Sequence, residues 1–279
     1  MPFKCVSADK IYQKDPNLKK QDVEEIQKWL KTQPHLPKVE DTQILTFLHK
    51  SHYEKEAAKK IIDNYFTFRT RHLNILRALT PDVLKTVTSV TCFNIMPNKT
   101  PEGYIVLMVK LLDSRVSNFN NTHVLTLGFM VAALHYHQYG FENGMVLLID
   151  LKDFSVGHFL KTDFSLLRCV FGLLQNGAPM KIKGIHLVNA TPLTKQIIAL
   201  FKHFLKAKLY QKIQVHVPNS TTVYEFLPKE CLCEEHDGCL SSSRILNEQT
   251  LQNMLDNYEF FSWYDSQKVD ETKRKGNGK

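Results

Sequence analysis

The chain has 279 residues, 43% of them apolar, and a formal net charge of +8. That length and composition require a globular protein with a sizeable core, and no apolar run approaches the roughly 18 to 20 residues that cross a membrane. Cys5, Cys92, Cys169, Cys231, Cys233 and Cys239 are unevenly spread and the opening MPFKCVSADK has no apolar stretch. This argues against a secreted disulfide scaffold and predicts a cytoplasmic monomer whose membrane contacts are peripheral and transient.

The N-terminal part reads as helices separated by prolines. Pro16 opens a pattern with Val23, Ile26 and Leu30 on one face, which stops before Pro34. Asp41 is the expected N-cap of a short helix carrying Ile44, Leu45 and Leu48. Ala57, Ala58, Ile61, Ile62, Tyr65 and Phe68 mark a third helix, with Lys55, Lys59 and Lys60 on its wet side. Thr80-Pro81-Asp82 begins another helical turn, giving a helical domain over residues 1–88. From about Val90, short apolar runs alternate with helix-length segments, the pattern of crossover connections and a largely parallel sheet. An α/β domain over 89–265 is expected, with strands at 104–111, 145–150, 184–188 and 213–217. Its helices are expected at 122–138, 162–175, 193–205 and 247–261. Residues 266–279, with Lys273, Arg274 and Lys275, read as a disordered basic tail.

Between residues 164 and 224 there is no Asp or Glu, yet Arg168, Lys181, Lys183, Lys195, Lys202, Lys206, Lys208 and Lys212 stand among aliphatic and aromatic residues. A solvated face normally interleaves both signs. Unneutralised cations beside large apolar side chains suit an anionic partner with an oily body, such as a phospholipid surface. Within this stretch Leu193, Ile197, Leu200, Phe201, Phe204 and Leu205 form one helical stripe, with Lys195, Lys202 and Lys206 off it.

The segment Pro179-Met180-Lys181-Ile182-Lys183-Gly184-Ile185-His186-Leu187-Val188-Asn189 resembles the P-(L/M)-(K/R)-x-(K/R)-G-I-H-L-(I/V)-N segment of the CRAL-TRIO lipid-transfer family, above all in alpha-tocopherol transfer proteins and their insect relatives. Gly144-Met145-Val146-Leu147-Leu148-Ile149-Asp150 is similar to the family's G-x-x-x-I-x-D strand at the right distance. Trp29-Leu30, Phe47-Leu48 and the helix of residues 57–71 resemble its N-terminal helical domain, and Leu227-Pro228-Lys229-Glu230 the start of its L-P-x-E-Y-G-G segment. The likeness spans roughly residues 20 to 262.

The resemblance implies a helical cap domain followed by a sheet-floored pocket for a hydrophobic small molecule or lipid, of tocopherol, retinoid or phospholipid type, with no cofactor. It implies an amphipathic gate helix with Ile197, Leu200, Phe201 and Phe204, which opens at a membrane. It also implies a phosphoinositide headgroup site at Lys181, Lys183, Lys208 and Lys212. The pocket positions carried over are Val124, Leu127, Val131, Met145, Ile149, Val170, Leu173, Leu174, Met180 and Ile185. All are apolar, as a lipid tail requires, and Leu127 and Val131 replace the hydroxyls that tocopherol binders offer there.

Three other signals are weaker. Cys231, Cys233, His236 and Cys239 could supply four metal ligands, but Cys-x-Cys spacing without a second knuckle fits zinc poorly; a disulfide is the other possibility, and this loop replaces the family's Y-G-G. His135 and His137 are two apart on a helix and do not share a face, so with His123 they are not read as a metal site. The chain has no G-x-S-x-G elbow, P-loop, H-E-x-x-H or G-x-G-x-x-G after a strand, and Asp150 at a strand end has no recognised partner, so no enzyme is expected. Nucleic-acid binding by the lysines and a ligand-free membrane adaptor are the alternatives; no RNP-like aromatic motif supports the first.

Overall fold

The computed structural model describes residues 5–274, apart from the side chains of Asn176 and Leu200. Helices α1 (Ala8–Lys14), α2 (Lys20–Lys31), α3 (Asp41–Lys50), α4 (Lys55–Arg71) and α5 (Leu73–Leu76) come first. Ile26, Ile44, Leu45, Leu48, Ile62 and Phe66, spaced three or four apart within their helices, are fully buried between them. Glu40, not Asp41, caps α3. Its side chain takes the third backbone N–H while Gln43 Oε1 accepts from the Glu40 N–H at 3.0 Å, a reciprocal capping box.

After α6 (Pro81–Val90) come β1 (Thr91–Ile95), β2 (Ile105–Leu111), α7 (Asn121–Tyr139), β3 (Met145–Asp150), α8 (Val156–Leu160), α9 (Phe164–Asn176), β4 (Ile182–Val188), α10 (Pro192–Phe201), α11 (Ala207–Tyr210) and β5 (Ile213–Val215). The sheet order follows the chain, β1-β2-β3-β4-β5, with only the β1–β2 pair antiparallel. Each parallel step needs a crossover, and steps that advance in one direction with one handedness place α7, α9 and α10 on the same face of the sheet. α7 is apolar around its circumference because it is enclosed on several sides. Strand β1 has no counterpart among the expected strands. Its Thr91 and Asn94 break the apolar run that marks the others, and Asn94 donates to the Ser243 carbonyl at 2.8 Å.

The chain closes with α12 (Ser243–Asp256) and α13 (Tyr258–Ser266), where the pattern predicted one helix over 247–261. Asn257 divides them by donating from its side chain to the Asn253 carbonyl at 2.8 Å, competing with the backbone ladder. The beginning of the basic tail is ordered, contrary to the sequence reading. Val269 is buried and donates to Thr70 Oγ1 at 2.8 Å, and Arg274 grips Asp63 at 2.9 Å and Thr67 at 2.7 Å. A single arginine with a carboxylate across from it fixes what composition assigned to solvent. Lys275 and the residues after it lie outside the described range.

Candidate functional site

Side chains alternate along each strand, so the sheet presents two apolar faces. On the face away from the crossover helices, Cys92, Met108, Val146, Leu148 and Val188 pack under Val223, Leu227, Leu232 and Cys233. On the helix face, the sheet and α7, α9 and α10 enclose a cavity of about 330 Å³ with an almost wholly apolar wall. Leu107, Val109, Met145, Leu147 and Ile149 floor it, α7 contributes Val124, Leu125, Gly128 and Phe129, and α9 contributes Val170, Phe171 and Leu174. From α10 come Thr194, Ile197, Ile198 and Phe201. This volume and lining suit an apolar ligand of small-molecule size.

Of the ten pocket residues carried over from the family, Val124, Met145, Ile149, Val170, Leu174 and Met180 line the cavity. Leu127 and Val131, also on α7, are buried in the core and do not line the cavity. Leu173 lines a separate, smaller chamber. Ile185 is on the cavity face of β4 but is covered by Leu205 and Leu209. The α10 face that meets the cavity runs Thr194, Ile197, Ile198, Phe201, a stripe rotated from the expected one. The helix stops at Phe201, short of 205. Gln175 explains the stop: its amide donates to the Phe204 carbonyl at 3.4 Å and accepts the Lys206 N–H at 2.6 Å, holding the chain in a turn. Phe204 therefore lies beyond the helix, half-buried, and Phe201 packs edge-on against Phe171 with ring centroids 5.5 Å apart. The side chain of Leu200 is outside the described set.

The four lysines expected to act together converge, and two further groups join them. Lys181 is held below the usual lysine range by burial and then by Lys183; Lys212 is lowered by burial, then by Lys183 and Lys208. Lys50, in the last turn of α3, is lowered to about 8, first by burial and then by Lys181 and Lys208. It donates to the Met180 carbonyl, so one residue gives its side chain to the cavity wall and its backbone to the lysine cluster. His52 is lowered chiefly by Lys181. At Lys183 a one-residue bulge interrupts the β3–β4 register, and the lysine stem lies over Gly144, where a methyl group would come within 2.3 Å of it.

Elsewhere on the chain lysines have carboxylates at hand. Lys14 and Lys99 reach Glu142 at 3.4 and 2.6 Å, and Lys110 reaches Glu235 at 3.4 Å. The acid acting on the cluster, Asp15, is engaged by Tyr53 at 2.7 Å and His49 at 3.1 Å. Lys50 and His52 were missed because nothing in a local pattern says that the end of α3 abuts the start of β4.

The cysteine loop folds differently from a metal knuckle. Cys231 and Cys233 are buried, Cys239 is exposed, and all six cysteines are free. Cys233 lies 3.8 Å from the Met96 sulfur and His236 bonds to Asp150 at 3.1 Å, so the candidate ligands diverge. Asp150, which also accepts from Asn189 at 2.7 Å, pins this loop over the ends of the strands. His135 is taken by Glu142 at 3.1 Å, and His137 stacks on Phe260. Among the described residues no group of three or more His, Cys, Asp or Glu is placed to hold a metal, and no helix is long and apolar enough to cross a membrane.

Comparison with known proteins agrees with this architecture. The CRAL/TRIO domain matches residues 90–238, and the Pinta-like UBA domain matches residues 15–82. The human protein named alpha-tocopherol transfer protein-like is 26% identical over 229 residues, covering 81% of this chain and 67% of its own length. Clavesin-1 of Xenopus laevis is 25% identical over 233 residues, covering 81% of this chain and 70% of its own. The solved structure titled "Crystal structure of Sfh5" covers 77% of this chain and 81% of its own, at 14% identity and a TM-score of 0.46. With a family match over more than half its length, the chain belongs to the CRAL/TRIO domain family of lipid-binding and lipid-transfer proteins.

Proposed function

We propose that this protein carries a hydrophobic small molecule or lipid in the 330 Å³ cavity and releases or loads it while docked on phosphoinositide-bearing membrane. The observation that supports this best is the adjacency at Met180 of an apolar cavity and a lysine cluster without a free acid. In water, α10 keeps Ile197, Ile198 and Phe201 over the ligand. At an anionic surface, contacts from Lys50, Lys181, Lys183, Lys208 and Lys212 favour the conformation in which that helix swings away, a difference in affinity between two states. About 1 kcal/mol per lysine near an anionic surface gives reversible docking and not permanent anchoring. No chemical step is assigned to any residue, in keeping with relatives named as transfer proteins. Tocopherol itself is one member of the ligand class.

Replacing Lys181→Ala together with Lys183→Ala is expected to abolish co-sedimentation with phosphoinositide liposomes at moderate salt while leaving the fold intact. Unchanged co-sedimentation would sink the docking half. Extraction of the purified protein followed by mass spectrometry tests the other half: a stoichiometric lipid is expected. Its absence, with tight nucleic-acid binding or with no transfer of a fluorescent lipid between vesicles, would favour the two alternatives respectively.

A further inference from the structure

A second, smaller chamber of about 80 Å³ lies where α3, α4, α7 and α13 meet. Its wall includes Arg69, Tyr65, Tyr136, Gln43, Trp263 and Tyr264. Arg69 is only 3% exposed. Its Nη2 donates to the Tyr264 carbonyl at 2.8 Å and the guanidinium lies 3.4 Å over the Tyr264 ring, but Nη1 is buried with no hydrogen-bond partner. Among the described residues no carboxylate lines the chamber: Asp63 holds Arg274 and His35, and Asp265, outside the wall, accepts the Ala78 backbone N–H with Oδ2 and has Oδ1 buried without a partner. The hydroxyl of Tyr136, on the facing helix, is likewise buried without a partner.

Arg69 Nη1 and the Tyr136 hydroxyl can both donate, so an acceptor in the chamber would satisfy the two. A buried guanidinium left without an anion is costly, whereas a carboxylate matches its planar fork and can also receive a phenol O–H. About 80 Å³ accommodates such a group, since a site needs only ~10–15 Å³ of probe space per water-sized occupant. The chamber and the large cavity share Phe129, Ala132 and Met180 as walls, and methionine is a side chain that turns aside readily.

We infer that Arg69 and Tyr136 form a carboxylate site, and that its occupant is the head of a long-chain acid whose tail passes Met180 into the large cavity. The inference rests on the lipid-carrier reading for its tail, and on the chamber alone for its head. A free short carboxylate has the same chemistry, and the test separates the two.

Delipidated full-length protein is titrated with oleate, methyl oleate and propionate. Oleate is expected to bind at least about tenfold more tightly than its ester, with the preference gone in Arg69→Met and reduced severalfold in Tyr136→Phe. If Arg69→Met does not fold, Tyr136→Phe and carboxyl-labelled oleate on the wild-type protein decide the matter. The bound carboxyl carbon should keep its ionised chemical shift below the pH at which free oleate protonates. Arg69-dependent thermal stabilisation by propionate without an oleate preference supports the site and assigns it to a free acid, whether or not the long-chain probes bind. Equal binding of oleate and ester, with no propionate effect, overturns the inference and leaves the carrier reading standing. Binding of none of the three overturns the inference, while the carrier reading is decided by the extraction and vesicle-transfer measurements.

Discussion

On one face of the sheet Val106, Met108, Val146 and Leu148 are packed beneath Leu227, Leu232 and Cys233, whereas on the other Leu107, Val109, Leu147 and Ile149 border open space. The residues come from the same two strands, alternate with one another and have the same chemistry. What differs is the cover. The loop after β5 lies directly on its face, pinned by the His236–Asp150 contact, while the helices on the opposite face leave a cavity beneath them. Apolar character therefore marks burial on both faces but identifies the binding face on neither.

The contrast can be broken most strongly by filling the hollow face. Leu174→Trp should reduce binding of a fluorescent lipid roughly a hundredfold while costing under about 3 kcal/mol in chemical denaturation, because the indole enters existing space. Retained lipid binding would show that the ligand lies elsewhere. Next in size is the difference between adjacent residues on β3. Leu148→Ala, on the packed face, should cost ~2–5 kcal/mol, and Leu147→Ala, already beside empty volume, only ~1–2 kcal/mol. Equal losses in urea unfolding would mean that the two faces are packed alike.

The smallest effect concerns the lysine cluster at the hollow face's edge. The folded-state pKa of Lys50, about 8, lies below its ordinary 10.5, so the unfolded chain binds the extra proton between those values. Stability of the ligand-free protein should rise over that interval, while vesicle docking should weaken a fewfold as pH passes 8 and the cluster loses charge. Lys50→Met should flatten both profiles, a result read by titrating unfolding and co-sedimentation across pH 7 to 10. Persistent pH dependence in that variant would move the titrating group to Lys181 or Lys212.

Much of the architecture is legible in the residues. Strands β2 to β5 follow from short apolar runs, and the α7 and α9 helices appear within a few residues of their expected limits. The errors have local causes that composition does not carry: Gln175 ending α10, Asn257 dividing α12 from α13, and Arg274 fastening the tail to Asp63. The site was legible in part. Six of the ten carried-over pocket residues line the cavity and the four lysines stand close together, but that Leu127 and Val131 on the same helix as Val124 are packed in the core and not at the cavity wall is set by their tertiary neighbours.

By itself the sequence determined the α/β class, the acid-free stretch and the apolar character of both sheet faces, because each depends on local composition and period. Tertiary structure alone decided which face is hollow and brought Lys50 to Lys181. It also enclosed Arg69 without a carboxylate, since these follow from which distant segments meet.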